Sequence, residues 1–276
     1  MPELPEVETI RRDLDKELVG KKIKSVEITG ERTVRRGHED LVTRLEGRKV
    51  SAVERKGKYL LVRLDSADVL VIHLGMSGQL LKATAKDPLD KHTHVVFVLQ
   101  PAGQIRFVDP RTFGELFVTT PDEVEAKVPE LAHLGIDPVD TAMSWDRFSL
   151  MLQARRTKLK ALLMDQTFLA GIGNLYADEI LFAAGIRFDR PSDRLSTQEV
   201  RRLWRAITEV LLEATKARGS SLADEQYVDL YGRPGTFQAG HQVYGREGLR
   251  CKRCRGTVNR VKFTGRSTFF CPACQV

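Results

Sequence analysis

Residues 251–274 read CKRCRGTVNRVKFTGRSTFFCPAC. Two Cys-x-x-Cys pairs, Cys251 with Cys254 and Cys271 with Cys274, stand sixteen residues apart. That separation matches a four-thiolate structural zinc site: each pair grips the metal from a tight turn, and the hairpin between them closes the tetrahedron. All four positions are protein ligands, so none is left open for a catalytic water. Redox thiols or two incidental pairs are the competing reading, and the spacing disfavours both. The surrounding segment, 241–276, holds Arg246, Arg250, Lys252, Arg253, Arg255, Arg260, Lys262 and Arg266 against Glu247 alone. Without metal so short a segment could not hold a fold; with it, the segment is a rigid cationic hairpin suited to phosphate contacts.

Upstream of this module, residues 218–240 are Gly-rich and polar without periodicity, and read as a long mobile loop. Before the loop lies the clearest helix, Thr197–Ala217. Ser196 can cap it, Glu199 completes a capping box, and Val200, Leu203, Ile207, Val210, Leu211 and Ala214 form its apolar stripe. Helical patterns also cover Trp145–Ala154, Lys158–Met164 and Asn174–Ala184.

The pattern is different from Lys22 to about Val118. Short runs rich in Val, Ile, Leu and Phe recur between turn signals: Ile23–Ile28, Tyr59–Leu64, Val69–His73, Val95–Leu99, Ile105–Val108 and Leu116–Val118. Such spacing predicts an antiparallel sandwich or barrel. In front of it, Val7, Ile10, Leu14 and Leu18 fall at helical spacing between Pro5 and Gly20. The chain is therefore expected to be α+β: a sheet domain over 1–120, a Pro-containing linker over 121–144, a helical domain over 145–240 that includes the loop 218–240, and the zinc module over 241–276.

A formal net charge of +7 favours a polyanionic partner, nucleic acid before an anionic membrane. Glu3, Glu6 and Glu8 exclude an export signal over residues 1–12, and Asp178 and Glu179 argue against a span in the apolar stretch 168–186. The expected compartment is the cytosol, where four Cys point to metal more than to disulfides.

Candidate sites follow from residue type. Arg155, Arg156, Lys158 and Lys160 cluster before an apolar helical run and could meet phosphate or only solvent. Gly171-Ile172-Gly173-Asn174 opens the next helix, where backbone N–H groups can face a phosphate. His92 and His94 alternate and share one side of a strand edge; without a third ligand, phosphate or plain surface is preferred to metal. Met followed by Pro is a good substrate for removal of the initiator Met, which would leave Pro2 with a secondary amine. A terminal amine with a pKa near ~8 is partly neutral at pH 7 and can attack a sugar carbon to form an iminium, with Glu3 beside it to move protons. From the first residues alone, a plain helix start is the better explanation of Pro2 and Glu3, because helix starts are often rich in Pro and Glu.

The run Met1-Pro2-Glu3-Leu4-Pro5-Glu6-Val7-Glu8-Thr9 resembles the opening of bacterial formamidopyrimidine-DNA glycosylases. The resemblance continues through Gly57-Lys58-Tyr59-Leu60, His73-Leu74-Gly75-Met76-Ser77-Gly78, Asp109-Pro110-Arg111 with Phe113-Gly114, Leu163-Met164-Asp165-Gln166, Gly171–Asn174, Gln242-Val243-Tyr244-Gly245, Gly265-Arg266 and the four cysteines, nearly the whole chain. It implies an N-terminal β-sandwich capped by the first helix, a helix–two-turn–helix domain and a zinc finger.

The resemblance also implies an activity: excision of oxidised purines (8-oxoguanine, formamidopyrimidines) from damaged double-stranded DNA, then strand cleavage by β- and δ-elimination. Pro2 would be the nucleophile, Glu3 its acid/base partner, Lys58 an aid to the β step and Arg266 to the δ step. Glu6 would sit by the base pocket. Met76, Arg111 and Phe113 would fill the gap left by the extruded nucleotide. His92, Lys160, Asn174 and Arg266 would hold phosphates, with Arg155 and Arg156 adding to them. The loop 218–240 would fold over the base. One structural Zn²⁺, a monomer, and a bacterial cytoplasmic, nucleoid-associated location complete the expectation. Thr112, where Lys or Arg is usual, puts one phosphate contact in doubt, and Arg255-Gly256 after Cys254 shifts the finger turn. Two rivals stand beside it: an endonuclease VIII-like pyrimidine enzyme, against which Leu4, Arg111 and Phe113 argue, and a zinc-finger DNA-binding protein without catalysis, which only Pro2, Glu3 and Lys58 separate from the enzyme.

Overall fold

The computed structural model describes residues 2–34, 38–222 and 226–276. Met1, whose removal would free the Pro2 amine, and residues 223–225 of the expected loop lie outside the described residues. The chain forms two compact units, Met1–His133 with Ala217–Thr236, and Leu134–Lys216 with Phe237–Val276.

In the first unit, α1 (Leu4–Leu18) starts where Pro5 needs no N–H partner and Glu6 completes a capping box with Glu3. It ends before Gly20, whose φ of +85° suits glycine. Then come β1 (Lys22–Ile28), α2 (His38–Leu45), β2 (Val50–Lys56), β3 (Tyr59–Leu64), β4 (Val69–His73), β5 (Gln79–Ala83), β6 (Thr93–Gln100), β7 (Gln104–Val108) and β8 (Glu115–Thr119). They pair antiparallel in two four-stranded sheets, ordered β1-β6-β7-β5 and β2-β3-β4-β8. Val7, Ile10 and Leu14 of α1 join the buried core with Leu60, Leu80, Val95 and Phe107 of the sheets. The expected sandwich capped by the first helix is present.

Three elements escaped the sequence reading. In β2, Glu54, Arg55 and Lys56 mask the alternation, yet Val50, Val53 and Arg55 are the buried positions. The other two are β5, whose buried residue is Leu80 alone, and α2. The expected linker also starts with two helical turns, α3 (Val124–Lys127) and α4 (Pro129–Ala132), because Val124, Val128 and Leu131 fall at helical spacing and are buried. Residues 217–236, read as part of the helical domain, group with the first unit instead: Tyr227 and Leu230 supply apolar side chains to the sandwich core.

The second unit holds α5 (Trp145–Gln153), α6 (Leu159–Leu163), α7 (Asn174–Ala184), α8 (Thr197–Lys216) and the hairpin of β9 (Asn259–Phe263) with β10 (Arg266–Phe270). Ser196 and Glu199 cap α8 reciprocally, at 3.3 Å from the Glu199 N–H to Ser196 Oγ and 2.8 Å from the Ser196 N–H to Glu199 Oε2. The stripe is buried at Val200, Leu203, Ile207, Leu211 and Ala214, while Val210 is half-exposed at its edge. No helix among the described residues is long and apolar enough to cross a membrane.

Candidate active site and nucleic-acid surface

Pro2 and Glu3 are both buried immediately before α1. The Glu3 N–H donates to Glu6 Oε2 at 2.8 Å, and the Ser220 N–H donates to Glu6 Oε1 at 2.8 Å. Glu6 is 3% exposed. A buried carboxylate whose two oxygens each accept a backbone N–H is fixed in orientation. It ties the first helical turn to residues 219–220, where Gly219 has φ +79° and a Cβ would stand 2.6 Å from Glu6 Oε1.

Lys58 lies on the β2–β3 turn after Gly57, which has φ +58°. That turn is held from α1. Arg55, with no exposed side-chain surface, donates Nε to Glu8 Oε2 at 3.0 Å and Nη1 to the Gly57 carbonyl at 3.2 Å. Burial pushes the Glu8 carboxyl up, but the guanidinium groups of Arg11 and Arg55 outweigh it and hold it below the usual range. The next strand contributes His73, stacked on Tyr59 at 4.6 Å between ring centroids. Burial, and then the Lys58 ammonium, bring its pKa down to about 4, so the ring is neutral near pH 7.

Met76, Arg111 and Phe113 sit on two abutting loops of this unit. Ser77 Oγ donates to Asp109 Oδ1 at 2.5 Å, and Asp109 Oδ2 accepts the Gly114 N–H at 2.7 Å. Gly75, at φ +61°, approaches so closely that a Cβ would lie 2.6 Å from the Gly114 nitrogen. Fully buried Asp109 thus fixes both loops, and its carbonyl engages His94 Nε2 at 2.8 Å. His94 is committed to this backbone contact, whereas His92 is half-exposed. Phe113 is 49% exposed, with the Arg111 guanidinium 5.0 Å from its ring centroid. Phe113 is thus an exposed aromatic carried on a loop braced from beneath. Thr112, a β-branched residue, takes φ +54° between them; such strain is kept only where the surroundings over-determine it.

In the second unit, Lys160 and Asn174 meet at one carbonyl: Lys160 Nζ donates to the Ser267 oxygen at 3.2 Å and Asn174 Nδ2 donates to it at 3.0 Å. Arg266, the residue before, is exposed on the turn that Gly265 (φ +78°) closes. Arg155 and Arg156 are exposed, the latter 4.0 Å from Asp193. The four Cys Sγ atoms lie within 4.8 Å of one another. Cys251 and Cys274 are 3.9 Å apart, and Cys254 and Cys271 3.4 Å. A tetrahedral zinc thiolate with bonds near ~2.3 Å needs edges of about 3.8 Å, so these four thiols form a structural zinc site. Burial works against ionisation of Cys251, yet the N–H groups of Cys254 and Arg253 bring its pKa down to about 7.

Residues 1–116 match the family described as the formamidopyrimidine-DNA glycosylase N-terminal domain, residues 134–226 its H2TH domain, and residues 248–276 the zinc finger found in FPG and IleRS. The chain belongs to the formamidopyrimidine-DNA glycosylase family. It is 42% identical to the formamidopyrimidine-DNA glycosylase of Nocardia farcinica, covering all of this chain and 98% of that one. It is 44% identical to that of Heliobacterium modesticaldum over the whole of both chains. The fold is similar to the Thermus thermophilus MutM (FPG) protein, with TM-score 0.88, 42% identity and coverage of 99% and 98%. It is also similar to Lactococcus lactis Fpg in complex with an abasic-site DNA, with TM-score 0.90, 36% identity and 99% coverage of both chains.

For this formamidopyrimidine-DNA glycosylase family member, one expected phosphate contact needs correction. Lys160 has no exposed surface. Its ammonium is 2.7 Å from Asp178 Oδ1 and 2.7 Å from Thr268 Oγ1. Asp178 Oδ2 in turn accepts the Phe269 N–H at 2.9 Å. A basic cluster in sequence does not reveal which member turns inward, and here the partner is an acid on α7. Lys160 fastens β10 to the helices and does not present its charge to phosphate. Lys160→Met should therefore lower unfolding free energy by about 3–5 kcal/mol, because Asp178 is left as an uncompensated buried charge. Denaturant titration checks this; unchanged stability with weakened DNA affinity would return Lys160 to the phosphate contacts.

Proposed function

We propose that this chain is a bifunctional DNA glycosylase and abasic-site lyase that removes oxidised purines from duplex DNA. The observation that carries the reading is the buried Pro2–Glu3 start of α1, braced through Glu6. With the initiator Met removed, the Pro2 nitrogen attacks the deoxyribose C1′; the C1′–N bond to the base breaks and the amine proton goes to the departing base, after which Glu3 protonates O4′ as the C1′–O4′ bond opens and the C1′–Pro2 bond becomes an iminium. The iminium on Pro2 acidifies the C2′ hydrogen. Its loss, aided by Lys58, expels the 3′ phosphate, and Arg266 assists the second elimination that releases the 5′ phosphate. Water then frees the enzyme.

The remaining residues hold the substrate. Glu6 lies by the extruded base, and Met76, Arg111 and Phe113 fill its vacated place, with Arg111 hydrogen-bonding the orphaned cytosine. His92, Asn174 and Arg266, with Arg155 and Arg156, meet backbone phosphates, which a net charge of +7 favours. The zinc braces the hairpin that presents Arg266. The enzyme acts as a monomer in the bacterial cytoplasm, on nucleoid DNA.

Borohydride added to the protein with a labelled duplex carrying 8-oxoguanine opposite cytosine should trap a covalent adduct, and peptide mass mapping should place it on Pro2. Tight duplex binding with no adduct on this lesion or on an oxidised pyrimidine would identify a non-catalytic DNA-binding protein. An adduct formed only with the oxidised pyrimidine would identify the endonuclease VIII-like reading.

A further inference from the structure

The residue that precedes Gly219 is anomalous. Arg218 is not glycine, yet it takes φ +61°. A long side chain in the left-handed region is strained and persists only where something else holds it there. Here two carboxylates do so. The Arg218 Nε donates to Asp229 Oδ2 at 2.9 Å, while Nη2 approaches that same oxygen at 2.7 Å and also pairs with Asp13 Oδ2. Asp13 belongs to α1, and the Asp229 side chain is 1% exposed. The other oxygen of Asp229 accepts the N–H groups of Tyr231 and Arg233 at 2.8 and 2.9 Å. One guanidinium therefore joins α1, at Asp13, to the start of the segment 217–236 and to Asp229 within it.

The main chain at Arg218 is held as well. Its carbonyl accepts the Tyr227 hydroxyl at 2.9 Å. Two residues on, the Ser220 N–H reaches Glu6. The chain between the clamp and the lesion-pocket carboxylate is only Gly219, packed against Glu6 with no room for a Cβ. An Arg held in the left-handed region fixes the direction in which the chain leaves the charge cluster.

We propose that Arg218 is a positioning residue: its bridge to Asp13 and Asp229 sets residues 219–220 against Glu6 and so controls excision of the damaged base, but not scission at a site that has already lost its base. The second half rests on the function proposed above. A preformed abasic aldehyde offers no base for the Glu6 pocket to hold, so its cleavage should be indifferent to the clamp.

The test uses Arg218→Gly, which relaxes at φ +61° while removing both ion pairs, and Arg218→Lys, which keeps the charge but loses the fork. In the free protein, Arg218→Gly should speed amide exchange at Ser220, Tyr231 and Arg233 by about tenfold or more, by opening this segment locally. Single-turnover 8-oxoguanine excision should fall by about tenfold while cleavage of a preformed abasic duplex stays within twofold (about), a split that a merely destabilised protein would not give. Arg218→Lys should fall between wild type and Gly in both readouts. Unchanged exchange at Ser220 would overturn the clamp, and so would equal losses on the two substrates. A wild type that traps neither substrate would sink the enzymatic function itself, while the exchange comparison would still decide the clamp.

Discussion

Glu3→Gln is expected to slow release of 8-oxoguanine by about a thousandfold, the scale of a positioned general acid–base, while leaving cleavage of a preformed abasic site within about tenfold of wild type. Gln matches Glu in shape, and the backbone N–H that Glu3 gives to Glu6 is untouched, so α1 should start as before. What is lost is a group that can deliver and recover a proton beside the Pro2 nitrogen. Completing excision needs that proton at O4′ as the C1′–O4′ bond opens. Attack of the amine on a free aldehyde yields a Schiff base that water can help form. Single-turnover gel assays on the two substrates measure the split. Excision within tenfold of wild type, or parallel loss on both substrates, would remove Glu3 from the acid/base role.

The second large effect is on the metal. Stripping zinc with a chelator, or replacing Cys271 by Ala, should unfold residues 246–276 and weaken duplex binding by more than about a hundredfold. The module has little else to stand on. Its core cluster is Val243, Cys251, Val258, Phe269 and Cys271, packed on Phe182 of α7, so two of the six cluster members are themselves ligands. Zinc binding in isolated fingers is worth about 10–16 kcal/mol, far above what so small a cluster supplies. Unfolding would also release β10 from Lys160 and Asp178, leaving that pair open to water, and would disperse the turn that presents Arg266. Metal analysis should find one zinc per chain. Hydrogen exchange over 246–276 and fluorescence anisotropy with damaged duplex would register the loss. A zinc-free protein with wild-type exchange in this segment would show that the thiols hold the hairpin without metal.

Much of this was legible because it rests on local rules. Thiol spacing announces a metal site, Ser196 with Glu199 announces a helix start, and short apolar runs between turn signals, as in Tyr59–Leu64 or Val69–His73, announce strands. The reading failed where a residue's environment is set by a distant partner. Lys160 looks like a surface cation until Asp178, eighteen residues on, and Thr268 of the finger are seen to enclose it. Arg55 stands in the charged run Glu54-Arg55-Lys56, and nothing near it hints at Glu8 across 47 positions. Residues 218–240 have no periodicity, so the sequence offers a loop; Arg218, Tyr227 and Asp229 show their purpose only against α1. The strand β2 was hidden for a related reason, since one of its buried members is that same charged Arg55. Within the candidate site, the motif residues were readable and their supports were not.

The contact between Ser220 and Glu6 spans 214 positions, and that has a consequence for how the protein is born. The sandwich can form once its strands have left the ribosome, since every strand pair in it lies within residues 22–119. Its last segment, 217–236, is made only after the helices between have been synthesised. At the usual pace of translation the N-terminal half therefore waits on the order of ten seconds with Glu6 uncovered and Asp13 unpaired. The nascent chain thus lacks until late the segment that packs against Glu6, and this contact closes only as synthesis nears its end.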